Sequence, residues 1–363
     1  MIKFNTIKTR IYNKKKIIVT GHTGFKGTWL TLWLKLCGAN ILGISKNVPT
    51  NPSHYKKIKI NKKIKEIFFN LKDVDKTKTV FKKFKPDFVF HLAAQAIVKK
   101  SYNNPFDTWQ SNLNGTLSVL EALRNLNKKC VAVIITSDKV YKNIETEKGY
   151  KEIDLIGGDD PYSGSKGATE LLINSYIKSY FDKTKSKISI SIARAGNVIG
   201  GGDWSEGRLI PDCIKKWVKS KKVLIRHPNS TRPWQHVLEV IWGYLLLGEK
   251  LSKNKKHLHG EAFNFGPNKY SRYTVLQILN LIKKKWIKVS WKVHRELNFK
   301  EAKLLKLNSK KAKKILNWKC VLGTTQTISM VLDWYNNFYF EKNNVEQFSI
   351  EQIHNYIRVL KIK

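Results

Sequence analysis

The sequence predicts an α/β fold, a doubly wound parallel sheet with a smaller lobe interleaved toward its C-terminal end. Three observations carry this. Short apolar runs alternate with helix-length amphipathic stretches over the first half of the chain, the pattern of a parallel sheet covered on both faces. The first run, Ile17-Ile18-Val19-Thr20, passes through Gly21-His22-Thr23-Gly24-Phe25-Lys26-Gly27 into Trp29-Leu30-Thr31-Leu32-Trp33-Leu34, a strand, a glycine turn and a helix. With 363 residues, 42% of them hydrophobic, the chain can bury a core for one large or two linked domains.

Strands are expected at 16–20, 40–44, 66–70, 87–91, 131–136 and 188–193, with helices between them at 25–37, 75–84, 105–126 and 162–182. The pattern changes after Arg194. A glycine-rich loop, 196–207, leads into helices near 208–220, 236–251, 274–286, 309–316 and 323–338, with short strands near 222–226, 262–265 and 290–294. This divides the chain into a sheet domain at 1–194 that borrows later strands, a lobe at 195–340, and a tail at 341–363 read as a terminal helix. The lysine-rich stretch 250–259 reads as a disordered loop.

The net charge of +41 comes from 68 Lys and Arg, of which nine are Arg. The lysines are spread from end to end and form no stripe with arginines and aromatics, so neither a nucleic-acid nor a membrane partner is expected. Abundant Lys, Asn and Ile fit an AT-rich coding bias on solvated faces. A non-enzymatic basic binder is the remote alternative, and it requires steeply salt-dependent DNA retention. The four cysteines, Cys37, Cys130, Cys213 and Cys320, form no C-x-x-C pair and read as buried thiols in a reducing compartment. No Cys/His spacing suggests a metal. Met1 to Lys16 lacks the apolar core of a signal peptide, and no apolar run is long enough to span a membrane. A soluble cytoplasmic protein is expected.

The glycine turn carries the first chemistry. One glycine permits the tight turn, one lets backbone approach a pyrophosphate, and one lets the helix pack on the strand. The helix N-terminus then offers free N–H groups and a positive dipole end. Tyr162-Ser163-Gly164-Ser165-Lys166 carries the second. Residues four apart share a helix face, and the Lys166 ammonium beside the Tyr162 phenol is expected to lower its pKa. Ser137, at the end of strand 131–136, can hydrogen-bond a substrate oxygen beside that tyrosine. Trp204 and Trp234 read as core more than as stacking platforms.

Glycine turn, Ser, and Tyr/Lys in this order, with His91-Leu92-Ala93-Ala94-Gln95 after another strand, resemble the extended branch of the short-chain dehydrogenase/reductase superfamily, with a Rossmann-like domain. Within that branch the chain resembles the CDP-glucose 4,6-dehydratases from about Lys15 to Tyr339. The likeness lies in Thr20-Gly21-His22-Thr23-Gly24-Phe25-Lys26-Gly27, Thr136-Ser137-Asp138-Lys139, Tyr162-Ser163-Gly164-Ser165-Lys166-Gly167, Arg194-Ala195-Gly196-Asn197 with the following Gly200-Gly201-Gly202-Asp203-Trp204, Arg208-Leu209-Ile210-Pro211-Asp212, and Ser230-Thr231-Arg232-Pro233-Trp234-Gln235-His236-Val237.

The resemblance implies an internal redox cycle on a nucleotide sugar, feeding deoxysugar synthesis for a bacterial surface polysaccharide. Tyr162, with Lys166, takes the 4-hydroxyl proton and Ser137 steadies that oxygen. Asp138 protonates the departing 6-hydroxyl, and Lys139 either takes the C5 proton or stabilises the enolate. It places the dinucleotide on Gly21, Thr23, Gly24, Phe25, Lys26, Gly27, Asn70, Leu71, Leu92, Ala93, Ala94, Tyr162 and Lys166. It places the sugar nucleotide on Gln95, Arg194, Asn197, Arg208, Leu209, Arg232 and His236, where Arg forks suit phosphate. It also implies a homodimer or higher homo-oligomer built through helices 105–126 and 162–182. The expected cofactor is NAD. No acid follows the second strand, where Ser45 and Lys46 stand, so NADP stays open as an alternative. Asn70 stands where the family usually has Asp, and Gly164 where it has Asn. The rival reactions on this fold are a 4-epimerase or a dehydratase for another nucleotide sugar; Asp138-Lys139 favours dehydration, because epimerisation needs no acid/base pair at C5–C6.

Overall fold

The structure, a computed structural model, describes residues 10–267, 272–286, 289–293 and 304–362. Seven strands form one parallel sheet: β1 (Lys16–Thr20), β2 (Asn40–Ser45), β3 (Lys65–Phe68), β4 (Phe88–His91), β5 (Cys130–Ile135), β6 (Ile188–Ala195) and β7 (Ala262–Phe265). Their order is β7-β6-β5-β4-β1-β2-β3. The strand order reverses beside β1, so the β1 and β4 ends form the crevice where such sheets bind ligands.

Alternation along each strand feeds two cores. Ile17 and Val19 enter one, with Phe88, Phe90, Val131 and Val133. Ile18, Val89, Ala132 and Ile134 enter the other. Both faces of the central strands are covered, which is why 130–135 is buried throughout and reads as an unbroken apolar run. The first core lies against α1 (Phe25–Leu36), whose Trp29, Leu30, Trp33 and Leu34 are fully buried. The second lies against α2 (Val74–Phe84), α3 (Gly115–Arg124) and α4 (Pro161–Tyr180).

The lobe contributes α5 (Leu209–Trp217), α6 (Val237–Lys253), α7 (Val275–Lys283) and α8 (Thr324–Asn336). Three two-stranded ladders frame it: Val198–Ile199 with Gln235–His236, Thr231–Pro233 with Arg272–Thr274, and Val223–Ile225 with Trp291–Val293. The boundary is more entangled than a cut at 194 suggests. β7 is the sheet's edge strand, and α6 packs beneath β5 and β6 as part of the first core. The terminal helix expected in the tail is α9 (Val345–Ile362); its Tyr356 meets Trp33 of α1 edge-on at 5.9 Å.

The helix expected at 105–126 runs from Pro105 to Arg124, widened by a π segment at Gln110–Asn114 before α3. One expectation is corrected: the stretch 250–259 is not a loop, since α6 runs to Lys253 and a short helix, Lys255–Leu258, follows. Leu258 and His259 are buried there, and the His259 ring accepts from Ile190 N at 2.9 Å. Lysine spacing hid these anchors. Strand 290–294 is described only at Trp291–Val293; residue 294 lies outside the described residues. Trp204 and Trp234 are 2% and 6% exposed, core residues as expected.

Candidate active site

The glycine turn leaves β1 and enters α1. Gly21 takes φ +73°, and a Cβ there would lie 2.8 Å from Ala93 N. At Gly27 a Cβ would lie 2.0 Å from the Gly21 carbonyl oxygen. The turn and the first helical turn are thus in backbone contact. Gly24 caps α1 in extended conformation without a side-chain partner, so its first N–H groups face out of the turn. Thr20 Oγ1 accepts from Ala93 N at 3.2 Å and pairs with His91 Nδ1 at 2.7 Å, tying 92–94 to the same crevice. A cradle that any side chain would fill, at a helix N-terminus, fits a dinucleotide pyrophosphate.

Farther along the crevice, Asn70 Oδ1 accepts from Lys72 N at 3.2 Å beside the buried Leu71. Strand β3 ends at Phe68, two residues earlier than expected. The sequence shows no acid after β2, but β3 supplies one nearby. Glu66 Oε2 lies 3.1 Å from His22 Nε2, and His22 Nδ1 lies 2.9 Å from Ser45 Oγ. Thr23 Oγ1 donates to Asn47 O at 2.7 Å.

The catalytic candidates converge at the ends of β5 and β6. Ser137, Asp138, Tyr162 and Lys166 are 5–7% exposed. Asp160 caps α4, its Oδ1 accepting from Tyr162 N at 2.9 Å and Ser163 N at 3.0 Å, so the tyrosine starts the helix at a fixed angle. Ser137 Oγ donates to Asp138 Oδ1 at 2.9 Å and accepts from Lys139 N at 3.2 Å. Burial raises the Asp138 carboxyl above its usual range, although Lys139 and Ser137 oppose it. That is the direction a general acid needs. Lys139 is half-buried at the edge of this group.

The expected lowering of the Tyr162 pKa is corrected. Burial pushes the phenol up to about 12, with Ser137 and Arg208 opposing and Asp138 assisting. Lys166 is itself brought down to about 8 by burial. Desolvation is the largest cause at both groups. Lys26, expected to serve the dinucleotide, is also brought down to about 8, by burial and by Arg208 and Lys166, with Asp138 and Asp203 opposing.

The substrate candidates divide. Arg208, the cap of α5, stays half-buried at the site with Nη1 donating to Asp203 Oδ2 at 2.8 Å. Leu209, Asn197 and Arg232 are partly exposed, with Arg232 on the Thr231–Pro233 strand. Three others make contacts within the protein. Arg194 is 2% exposed and paired with Glu170, so its expected role at the diphosphate is corrected to a brace under the site. His236 is fully buried and caps α6, accepting from Leu238 N at 3.3 Å; burial brings its pKa down to about 3. Gln95 is partly exposed, but its amide bonds Ile97 O, Ile97 N and Thr108 Oγ1.

Sequence reasoning missed Asn112, in the π turn. It is 1% exposed; Oδ1 accepts from Gln95 N at 2.8 Å, and Nδ2 donates to Gln95 O at 3.1 Å and Ser165 Oγ at 2.9 Å. It joins the 92–97 loop to the helix carrying Tyr162. The run Gln110-Ser111-Asn112-Leu113-Asn114, polar inside a helical pattern, was its available signal. Among the described residues no group of His, Cys, Asp and Glu could hold a metal ion, and no helix is long and apolar enough to cross a membrane.

The profile of the family described as GDP-mannose 4,6 dehydratase matches residues 18–331. The chain is 38% identical over 333 residues to the CDP-glucose 4,6-dehydratase of Salmonella typhimurium, covering 91% of this chain and 92% of that protein. It is 25% identical to the UDP-glucose 4-epimerase of Mycoplasma genitalium, over 90% and 98% of the two chains. The structure of UDP-glucuronic acid 4-epimerase from Bacillus cereus, in complex with UDP-glucuronic acid and NAD, matches with TM-score 0.76 at 23% identity, covering 89% and 100%. That likeness shows the fold. The chain belongs to the GDP-mannose 4,6 dehydratase family.

Proposed function

We propose that this chain is a CDP-glucose 4,6-dehydratase, a hydro-lyase converting CDP-D-glucose to CDP-4-dehydro-6-deoxy-D-glucose and water through an internal NAD hydride cycle. The observation that carries the reading is Asp138: a buried carboxyl with raised pKa, hydrogen-bonded to Ser137 beside Tyr162. Loss of water needs an acid next to the redox base, and epimerisation does not. The 38% identity to a curated CDP-glucose 4,6-dehydratase, against 25% to an epimerase, supports the same choice.

The glycine turn, the α1 N-terminus, Asn70, Leu71 and the 92–94 backbone would hold the dinucleotide. When bound it supplies a hydride acceptor that later returns the hydride, and the positive charge of an oxidised nicotinamide. Tyr162 removes the proton from the sugar 4-hydroxyl and Ser137 holds that oxygen. Lys166, one turn along α4, supports the phenolate. The resulting ketone acidifies the C5 proton, which Lys139 accepts or whose enolate it stabilises. Asp138 gives its proton to the leaving 6-hydroxyl. Arg208 and Arg232 hold the diphosphate. Phe106 and Leu171, 75% and 62% exposed on the helical face expected to pair, support a homodimer. A cytoplasmic location and a place in deoxysugar synthesis complete the reading.

The test is incubation of purified protein with NAD and, separately, CDP-, dTDP-, GDP- and UDP-glucose, read by mass spectrometry. Loss of one water from CDP-glucose alone is expected. Loss from a different nucleotide sugar overturns the base assignment; an unchanged mass throughout overturns dehydration.

A further inference from the structure

The C-terminal helix α9 reaches the substrate wall through one side chain. Ser349 is fully buried. Its Oγ donates to Val345 O at 2.7 Å and accepts from Trp334 Nε1 at 2.9 Å. It also lies 3.0 Å from His54 Nε2. Because the serine proton goes to Val345, the histidine must carry its proton on Nε2 and donate it here. Burial keeps that ring neutral, bringing its pKa down to about 3. Two rings from different parts of the chain are thus fixed on one oxygen.

Those rings press on the glycine turn that precedes Arg208. A Cβ on Gly201 would lie 2.0 Å from Trp334 Cγ, and one on Gly202 would lie 2.7 Å from His54 Cβ. Trp29 Nε1 donates to Gly201 O at 2.9 Å, and its ring lies 4.8 Å from that of His54. Tyr335, next to Trp334, donates to Asp203 O. Asp203 then orients Arg208 through its Oδ2 and accepts from Ser205 N at 3.0 Å through its Oδ1. His54 and residues 202–205 also line a small cleft together with Thr23, Gly24 and Phe25.

We propose that Ser349 is a positioning residue for substrate binding: through Trp334 and His54 it fixes the turn at 201–203, and through Asp203 it aims Arg208 at the diphosphate of the nucleotide sugar. The inference rests on the reading above that Arg208 meets that diphosphate. Removing the hydroxyl leaves two buried ring N–H groups without an acceptor, so the turn must shift to satisfy them.

The test compares Ser349→Ala, Ser349→Thr and Gln352→Ala in the full chain. Gln352 anchors the same helix, donating to Met330 O at 2.7 Å, without touching the turn. Binding of CDP is measured by calorimetry, alongside KM and kcat for CDP-glucose and the melting temperature. Ser349→Ala is expected to raise the CDP dissociation constant and KM about 5–10-fold, the weight of a lost hydrogen bond, with kcat within about twofold. Ser349→Thr restores both. Gln352→Ala lowers the melting temperature without moving KM, and Ser349→Ala adds no further loss of CDP affinity to Arg208→Gln. Unchanged CDP binding in Ser349→Ala, or an equal KM change in Gln352→Ala, overturns the proposal alone. Failure of the unmodified chain to bind CDP overturns it together with the functional reading.

Discussion

Arg194 closes on Glu170 with its Nε 2.9 Å from Oε1 and 3.0 Å from Oε2, and both side chains are buried. Glu170 lies one helical turn beyond Lys166, and its Oε1 also accepts from Thr136 Oγ1 at 2.6 Å. Nη2 also donates to Glu170 Oε2, and Nη1 donates to Tyr141 OH and Glu152 O. The pair therefore ties the end of β5, β6 and α4 together beneath the candidate catalytic residues.

Glu170→Ala strands a buried guanidinium and should destabilise the fold by about 3–5 kcal/mol, read by chemical denaturation. Arg194→Lys should lower stability as well, because an ammonium cannot reproduce the fork. KM for CDP-glucose in that variant should stay within about twofold if Arg194 is a brace. A large rise in KM at unchanged stability would return Arg194 to the substrate.

Tyr162→Phe keeps the ring in its buried slot and removes the phenol oxygen proposed to take the sugar proton. Dinucleotide affinity should be unchanged, and reduction of bound cofactor by CDP-glucose should fall on the order of 10²–10⁴-fold. Stopped-flow absorbance at the reduced nicotinamide band separates the two. Normal turnover by this variant contradicts the mechanism.

Asp138 and Lys139 should uncouple oxidation from elimination. Asp138→Asn and Lys139→Ala are expected to retain C4 oxidation and lose release of water. The Asp138 pKa is raised, so its proton persists above the ordinary carboxyl range and is lost as pH rises through the shifted value. Dehydration by the unmodified enzyme should therefore fall on that limb, and the residual rate of Asp138→Asn should lack it. Product mass against pH is the readout.

Glu239, in the first turn of α6, links three segments. Its Oε1 accepts from Val321 N at 2.8 Å and Leu322 N at 2.6 Å, and its Oε2 from Tyr356 OH at 2.7 Å. Burial raises its pKa from 4.5 to about 7, against those hydrogen bonds. The native state holds this proton where the unfolded chain has released it, so this group's contribution declines as pH rises from about 4.5 toward 7. The change is roughly 3 kcal/mol at most. Glu239→Gln should flatten the corresponding slope of melting temperature against pH; an unaltered slope rejects the assignment.

Much of this protein was legible without coordinates, because local rules wrote it. The glycine turn needs backbone contact at Gly21 and Gly27, so only glycine stands there. The period-2 apolar strands and the four-residue spacing of Tyr162 and Lys166 follow from element geometry. What the chain could not disclose depends on which distant groups meet. Burial, set by packing over the whole lobe, turned the Tyr162 pKa upward and closed Arg194 onto Glu170. A glutamate on β3 reached His22 and Ser45 where β2 offered no acid. Asn112 entered the site because a helix widened by one π turn. Desolvation and long-range pairing are sums over tertiary neighbours, so the local pattern names the reacting groups and the folded structure decides their charge and aim.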